Sequence, residues 1–368
     1  TSGLTTGDTL AFTAANGITG TYDSTTGKLT LTGNATVAQY QTALQTVTYV
    51  SSSDNPTGSS ASRTLTWQVN DGASANNLSS SATSTINVTA VNDAPVVTTT
   101  STARSYTENA TAIVANNDLT LSDVDSTTLT GATVQITSGL TTGDTLAFTA
   151  ANGITGTYDS TTGKLTLTGT ATVAQYETAL QSVTYVSSSD NPTGTSASRT
   201  LTWQLNDGAT ANNLSTTKTS TINVTPVNDQ PTFASASPIA LSGTEDTVFS
   251  FVISTVLAGK VNDVDAGASL KGIAISWNQA TTTQGAWEWS SDGTTWAALP
   301  SDISTNNTVK AFYLNASDQL RFTPAANWNG TVNSLMFRAA DDTMPTTASG
   351  SRVDVSTLNG TTGPMTVG

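Results

Sequence analysis

An internal repeat constrains this chain more than any other feature. Residues 1–95 recur at 137–231, and only 11 of the 95 aligned positions differ. Both copies carry TSGLTTGDTLAFTAANGITGTYDSTTGKLTLTG, from Thr1 and from Thr137. The differences are mild, as in Thr46/Ser182, Val69/Leu205 and Ser74/Thr210. Two stretches this alike must share one fold, and a long period marks a modular array. Residues 96–136 have no counterpart before Thr1, so the first unit is expected to lack its opening strands. A third unit of different sequence begins near Asn228. The expected domains are 1–91, 92–227 and 228–368. The Gly- and Thr-rich tail from Ser351 to Gly368 ends without a new linker, so truncation is expected at both ends.

Within residues 92–227 the patterning is that of a β-sandwich. Thr145–Phe148, Lys164–Leu167 and Val183–Val186 read as strands. Arg199–Leu205 alternates strictly, which puts Leu201, Trp203 and Leu205 on one face. Tyr158–Gly163 has hairpin-turn chemistry. Val173, Tyr176 and Leu180 fall at the spacing of one short helix, and they read as core together with Trp203 and Trp67. Thr219–Thr225 closes the unit. About seven strands and one helix make an all-β sandwich, and Thr-rich composition suits half-exposed pleated surfaces.

Composition removes several function classes. The net charge is −14, from 26 acidic and 12 basic residues, with no basic patch for nucleic acid or anionic membrane. No apolar run approaches the length of a membrane span. The chain has no Cys and no His, so thiol nucleophiles, the usual zinc sites and Ser-His-Asp triads are out. Catalysis would need a carboxylate pair in a cleft. The acidic clusters lie instead where one unit meets the next.

Those clusters recur in order. Val91-Asn92-Asp93-Ala94-Pro95 returns as Val227-Asn228-Asp229-Gln230-Pro231. Glu108-Asn109 is mirrored by Glu245-Asp246, and Asp123-Val124-Asp125 by Asp263-Val264-Asp265. Residues i and i+2 of an extended segment face one way, so each Asp-X-Asp pair can converge. Calcium takes 6–8 oxygen ligands from such groups. The alternative is that these motifs are turns and caps.

The motifs resemble the calcium-binding junctions of cadherins. They are closer still to the cadherin-like and Ig-like extender domains of large bacterial RTX-type, biofilm-associated surface adhesins. Tyr176–Leu180, Tyr185, Asn191-Pro192, Arg199-Thr200 and Leu205-Asn206-Asp207-Gly208 also look like those repeats, and the likeness covers residues 1–265. It implies an all-β rod of tandem sandwiches, secreted to a bacterial cell surface, with calcium as cofactor and neighbouring domains as partners. It implies two calcium sites. The first joins Asp71, Asp93, Asp123 and Asp125, and the second joins Glu108, Asp207, Asp229, Asp263 and Asp265. Asn92 and Asn228 add oxygens. Glu245, which mirrors Glu108, is a further metal-ligand candidate, and Asp341 would hold a calcium at the far end of the third unit.

The third unit holds five of the seven Trp, and Gly285–Trp296 reads as a hairpin turning at Asp292-Gly293. Its Trp287 and Trp289 are either core or a stacking platform for a glycan. A fibre subunit completed by β-augmentation is a further reading.

Overall fold

The computed structural model describes residues 2–235, 238–306 and 308–356, with the backbone of Gly363–Val367. Part of the expected tail, 357–362 and Gly368, lies outside the described residues. The described chain is all-β, with short helices only, and its sheets each close within one unit.

The second unit is a two-layer sandwich. Its larger sheet runs in the order Thr155–Asp159, Lys164–Thr172, Thr128–Ser138, Ser198–Asn206, Lys218–Thr225, Arg104–Thr107. All neighbours are antiparallel except the last pair, in which Ile222 lies beside Arg104. The facing sheet is Asp144–Ala147, Thr184–Ser187 and Ile113–Val114. Alternation fixes the buried face, and Leu201, Trp203 and Leu205 are at most 1% exposed. They meet Leu146 and Tyr185 from the other sheet and Val134 from the central strand in one core.

The helix is Val173–Gln181. Thr172 and Gln175 form a capping box at its start, and Tyr176 and Leu180 enter the core. Val173 packs only at the rim.

Two sequence expectations change. The unit has eleven strands, not seven. Its central strand, Thr128–Ser138, lies in the stretch read only as opening strands. The hairpin around Tyr158–Gly163 is made by Thr155–Asp159 and Lys164–Thr172, while Asp144–Ala147 crosses to the other sheet.

Behind the core sits a buried ion pair. Arg199 Nε donates to Asp144 Oδ2 at 2.6 Å, and Tyr185 Oη donates to Asp144 Oδ1 at 2.7 Å. Arg199 also holds the carbonyls of Pro192 and Ser196 at 2.6 and 2.8 Å. Arg63, Asp8 and Tyr49 repeat this in the first unit, and the balance leaves Asp8 at about 2: burial pushes it up, but hydrogen bonds from Arg63 and Tyr49 outweigh that.

In the third unit a six-stranded sheet built on Leu270–Asn278 and Leu335–Asp341 faces a four-stranded one built on Gly285–Ser290 and Gln319–Pro324. Ile273, Phe337, Leu320, Phe322 and Trp287 fill the space between. The hairpin turns as expected, with Asp292 Oδ1 accepting from the amides of Thr294 and Thr295. Trp287 is 2% exposed, Trp289 packs edge-on against Phe312, and the Arg321 guanidinium lies over Trp296.

Candidate metal centre

Strand direction decides which acids share an end of the second unit. Lys218–Thr225 leads out to the linker at Asn228. Arg104–Thr107 is parallel to it, so Glu108, next in sequence, emerges at the same end. Ser198–Asn206 runs antiparallel to Lys218–Thr225. Its start, with the loop holding Asp190, therefore joins Glu108, and its finish places Asp207 at the opposite end.

At the second junction, Val227 N–H donates to Glu108 Oε2 at 2.8 Å. Asp229 N–H donates to Asp265 Oδ2 at 2.7 Å, and Asp265 N–H donates to Asp263 Oδ1 at 3.0 Å. Backbone N–H groups thus take one oxygen each of Glu108, Asp265 and Asp263. Glu108 Oε1, Asp229 Oδ2 and Asp263 Oδ2 are buried with no hydrogen-bond partner. Glu108, Asp229 and Asp265 each bring an oxygen within 4.8 Å of the others.

Such crowding is unfavourable. Two unit charges at that separation repel by about 3 kcal/mol at an effective dielectric near 20. Burial pushes the Glu108 carboxyl above its ordinary range, with Asp229, Asp265 and Asp190 adding repulsion. Burial likewise raises Asp229, beside Asp265 and Asp190, and Asp263, beside Asp265 and Asp341. Buried polar groups are normally satisfied, so the orphaned oxygens of Glu108 and Asp229, in a group of three close carboxylates with Asp265, fit a cation. The donor set is all oxygen, which suits a hard divalent ion such as calcium.

The first junction repeats part of this. Asp93 N–H donates to Asp125 Oδ2 at 3.2 Å, and Asp123 Oδ1 accepts from Asp125 N–H at 3.2 Å and Ser126 N–H at 2.9 Å. Asp123 Oδ2 and Asp125 Oδ1 are buried and unpartnered. Burial and the neighbouring Asp125 raise the Asp123 carboxyl. From the first unit, Asn55 Nδ2 reaches across to the Val124 carbonyl at 2.9 Å.

Several expected groupings are corrected. Asp207 does not join Glu108: Asn92 Nδ2 donates to Asp207 Oδ2 at 2.9 Å, at the first junction. Asp71 is the repeat counterpart of Asp207, so it belongs to the opposite end of the first unit. It is exposed, and its Oδ1 accepts from Ala73 N–H. Asp341 is not at the far end of the third unit. Asn228 Nδ2 donates to its Oδ2 at 3.1 Å, at the second junction. Burial pushes the Asp341 carboxyl up, but hydrogen bonds from Thr343 and Asn228 outweigh that and leave it lowered. Asn92 and Asn228 act through their amide N–H groups as locks between linker and following unit. Glu245 is exposed and is not in the Glu108–Asp229–Asp265 group.

Asp190 was missed. It sits beside Asn191-Pro192, in the loop that Arg199 holds by the Pro192 carbonyl. Its repeat counterpart is Asp54, next to Asn55 at the first junction. The signal was available in Ser-Asp-Asn-Pro, which occurs in both copies.

No family model matches the chain. Over 108 residues it is 42% identical to halomucin of Haloquadratum walsbyi, covering 28% of this chain and 1% of halomucin. Among solved structures it is similar to the protocadherin GammaB4 extracellular domain, with TM-score 0.35, 14% identity, and coverage of 98% of this chain and 43% of that one. It is also similar to an endo-fucoidan hydrolase of glycoside hydrolase family 107, with TM-score 0.19, 14% identity, and coverage of 98% and 38%. The chain therefore spans less than half of each of these proteins. Among the described residues, no helix is long and apolar enough to cross a membrane.

Proposed function

We propose that this chain is an extender segment of a secreted cell-surface adhesin, of the bacterial RTX type that its motifs resemble, with tandem β-sandwiches stiffened by calcium at their junctions. The observation that carries the reading is that Glu108, Asp229 and Asp265 each bring a carboxylate oxygen within 4.8 Å of the others, with a buried, unpartnered oxygen on Glu108 and on Asp229. These three residues come from the second unit, the linker and the third unit. A cation bound to all three ties those parts together, and without it their repulsion loosens the joint. Extracellular calcium near millimolar suits weak sites of this kind. The partners are neighbouring domains of the same chain. The chain has no catalytic role in this account, because the clustered acids serve a joint and not a cleft.

Capture of a glycan by the third unit has little to rest on. Among the described tryptophans, Trp287 is core and Trp296 is covered by Arg321.

Thermal unfolding in calcium and in chelator tests the proposal. Binding to the native state alone raises stability by RT ln(1 + [L]/Kd). The expected result is a rise in Tm that grows with calcium and shrinks in a chain carrying Asp263→Ala and Asp265→Ala. Equal melting with and without calcium would remove the reading.

A further inference from the structure

Glu108 and Asp190 reach the second junction from separate strands, and one hydroxyl joins the turns that carry them. Tyr106 is fully buried in Arg104–Thr107, two residues before Glu108. Its Oη donates to the Ser187 carbonyl at 2.9 Å and, more weakly, to the Ala110 carbonyl at 3.3 Å. Ala110 closes the turn at Glu108. Its N–H donates to the Thr107 carbonyl at 3.0 Å, and Asn109 reverses the chain at φ +62°, a conformation that Asn tolerates. Glu108 N–H donates to the Thr225 carbonyl at 3.0 Å, which fastens the same turn to the strand leading into the linker.

Ser187 ends the strand Thr184–Ser187 and opens the Asp190 loop. The loop is braced from inside: Ser187 Oγ accepts from Ser189 N–H at 3.4 Å, and Ser189 Oγ accepts from Asn191 N–H at 3.1 Å. Arg199 holds the far side of the loop through the Pro192 carbonyl, and Tyr106 holds the near side. The Tyr106 ring packs edge-on against Tyr185, with 5.1 Å between centroids. Tyr185 donates to Asp144, the ion-pair partner of Arg199. Both grips on the loop thus belong to one buried cluster.

The turn itself does not require the tyrosine. The third unit repeats it at Thr244–Thr247, where Thr247 N–H donates to the Thr244 carbonyl at 3.1 Å and Asp246 has φ +56°. Gly243 stands there in the place of Tyr106. The shorter of the two bonds made by the Tyr106 hydroxyl goes to the Asp190 loop and serves no purpose in forming the turn.

We infer that Tyr106 is a positioning residue for the cation site of the second junction, setting the spacing between Glu108 and Asp190 by pinning their two turns together. This role presupposes calcium at that junction. A cation binds best where its ligands are held in place before it arrives, and removing a group that orients a ligand costs about 10–100-fold in metal affinity.

Tyr106→Phe deletes the hydroxyl and keeps the packing. Calcium is titrated into the full chain while hydrogen exchange is read at Val227 and Asp229, whose N–H groups donate to Glu108 and Asp265. Those two amides report on the second junction alone. The expected result is a calcium midpoint raised roughly tenfold in Tyr106→Phe. Tyr176→Phe is the control. Its hydroxyl is equally buried in the same unit but donates to the Gly169 carbonyl at 2.6 Å, and its loss should leave the midpoint where it was. A wild-type midpoint in Tyr106→Phe would overturn the inference and leave the calcium reading standing. Equal shifts in the two variants would also overturn it, since they would report lost stability and not lost position. Absence of calcium-dependent protection in the unaltered chain would remove the calcium reading and this inference with it.

Discussion

Glu108 accepts a hydrogen bond from the Val227 backbone N–H at 2.8 Å through one carboxylate oxygen and leaves the other buried with no partner. One oxygen thus fastens the linker, and the other waits on a charge. Glu108→Gln separates the two roles. The amide oxygen can still accept from Val227, while a repulsive charge disappears. We expect melting in chelator to be unchanged or slightly raised, and calcium affinity to fall by tenfold or more, which is about 1.4 kcal/mol. Calorimetric titration of calcium into both proteins measures it, and a variant that binds as wild type would remove Glu108 from the site.

Proton competition gives a pH dependence with a definite sign. Burial raises Glu108, Asp229 and Asp263 above their ordinary values. A carboxyl raised on folding binds more protons in the native state than in the unfolded one over the window between the two pKa values. Metal-free stability from these groups therefore falls as pH rises through that window. Calcium needs the charged forms, so its stabilisation runs the other way. The gap between Tm in calcium and Tm in chelator should be wide at neutral pH and should close on acidification toward the carboxylate range. A gap independent of pH would contradict this.

Arg199 is fully buried against Asp144. Removing one partner strands a buried charge, at a cost of about 3–5 kcal/mol. Arg199→Ala should destabilise the second unit by that amount in urea unfolding. It should also weaken calcium binding, because Arg199 holds the loop that carries Asp190 through the Pro192 carbonyl. A loss of stability with unchanged calcium affinity would separate Asp190 from the site.

Asn228 is the lock between linker and third unit, donating to Asp341. Asn228→Ala should cost roughly 1–2 kcal/mol through the unsatisfied acceptor, and the same in calcium as in chelator. Urea unfolding in both conditions checks it. A loss confined to calcium would make Asn228 a ligand.

Sheet class, the helix at Val173–Gln181 and the buried Trp203 were legible because side-chain periodicity reports them directly. The central strand Thr128–Ser138 was not recognised, though Leu129, Val134 and Ile136 all point inward. Gly131 and Ala132 blunt its alternation, and its register shifts between Leu129 and Gly131. The acidic motifs were legible as a set, since their order recurs. Their grouping was not, because the end of the sandwich to which Asp207 or Glu108 belongs depends on the parallel pairing of Arg104–Thr107 with Lys218–Thr225. That contact spans more than a hundred residues of sequence and leaves no local trace.

The central claim is that a cation makes the joint between the second and third units stiff. The chain has no Cys, so spin labels on Ser160→Cys and Thr294→Cys, both at exposed positions, would be the only labels present. Pulsed electron resonance between them reads the distance across the joint. The account predicts a broad distribution in chelator that collapses to a narrow one in millimolar calcium, and stays broad when Asp263→Ala and Asp265→Ala are added. Superimposable distributions in calcium and in chelator would contradict it.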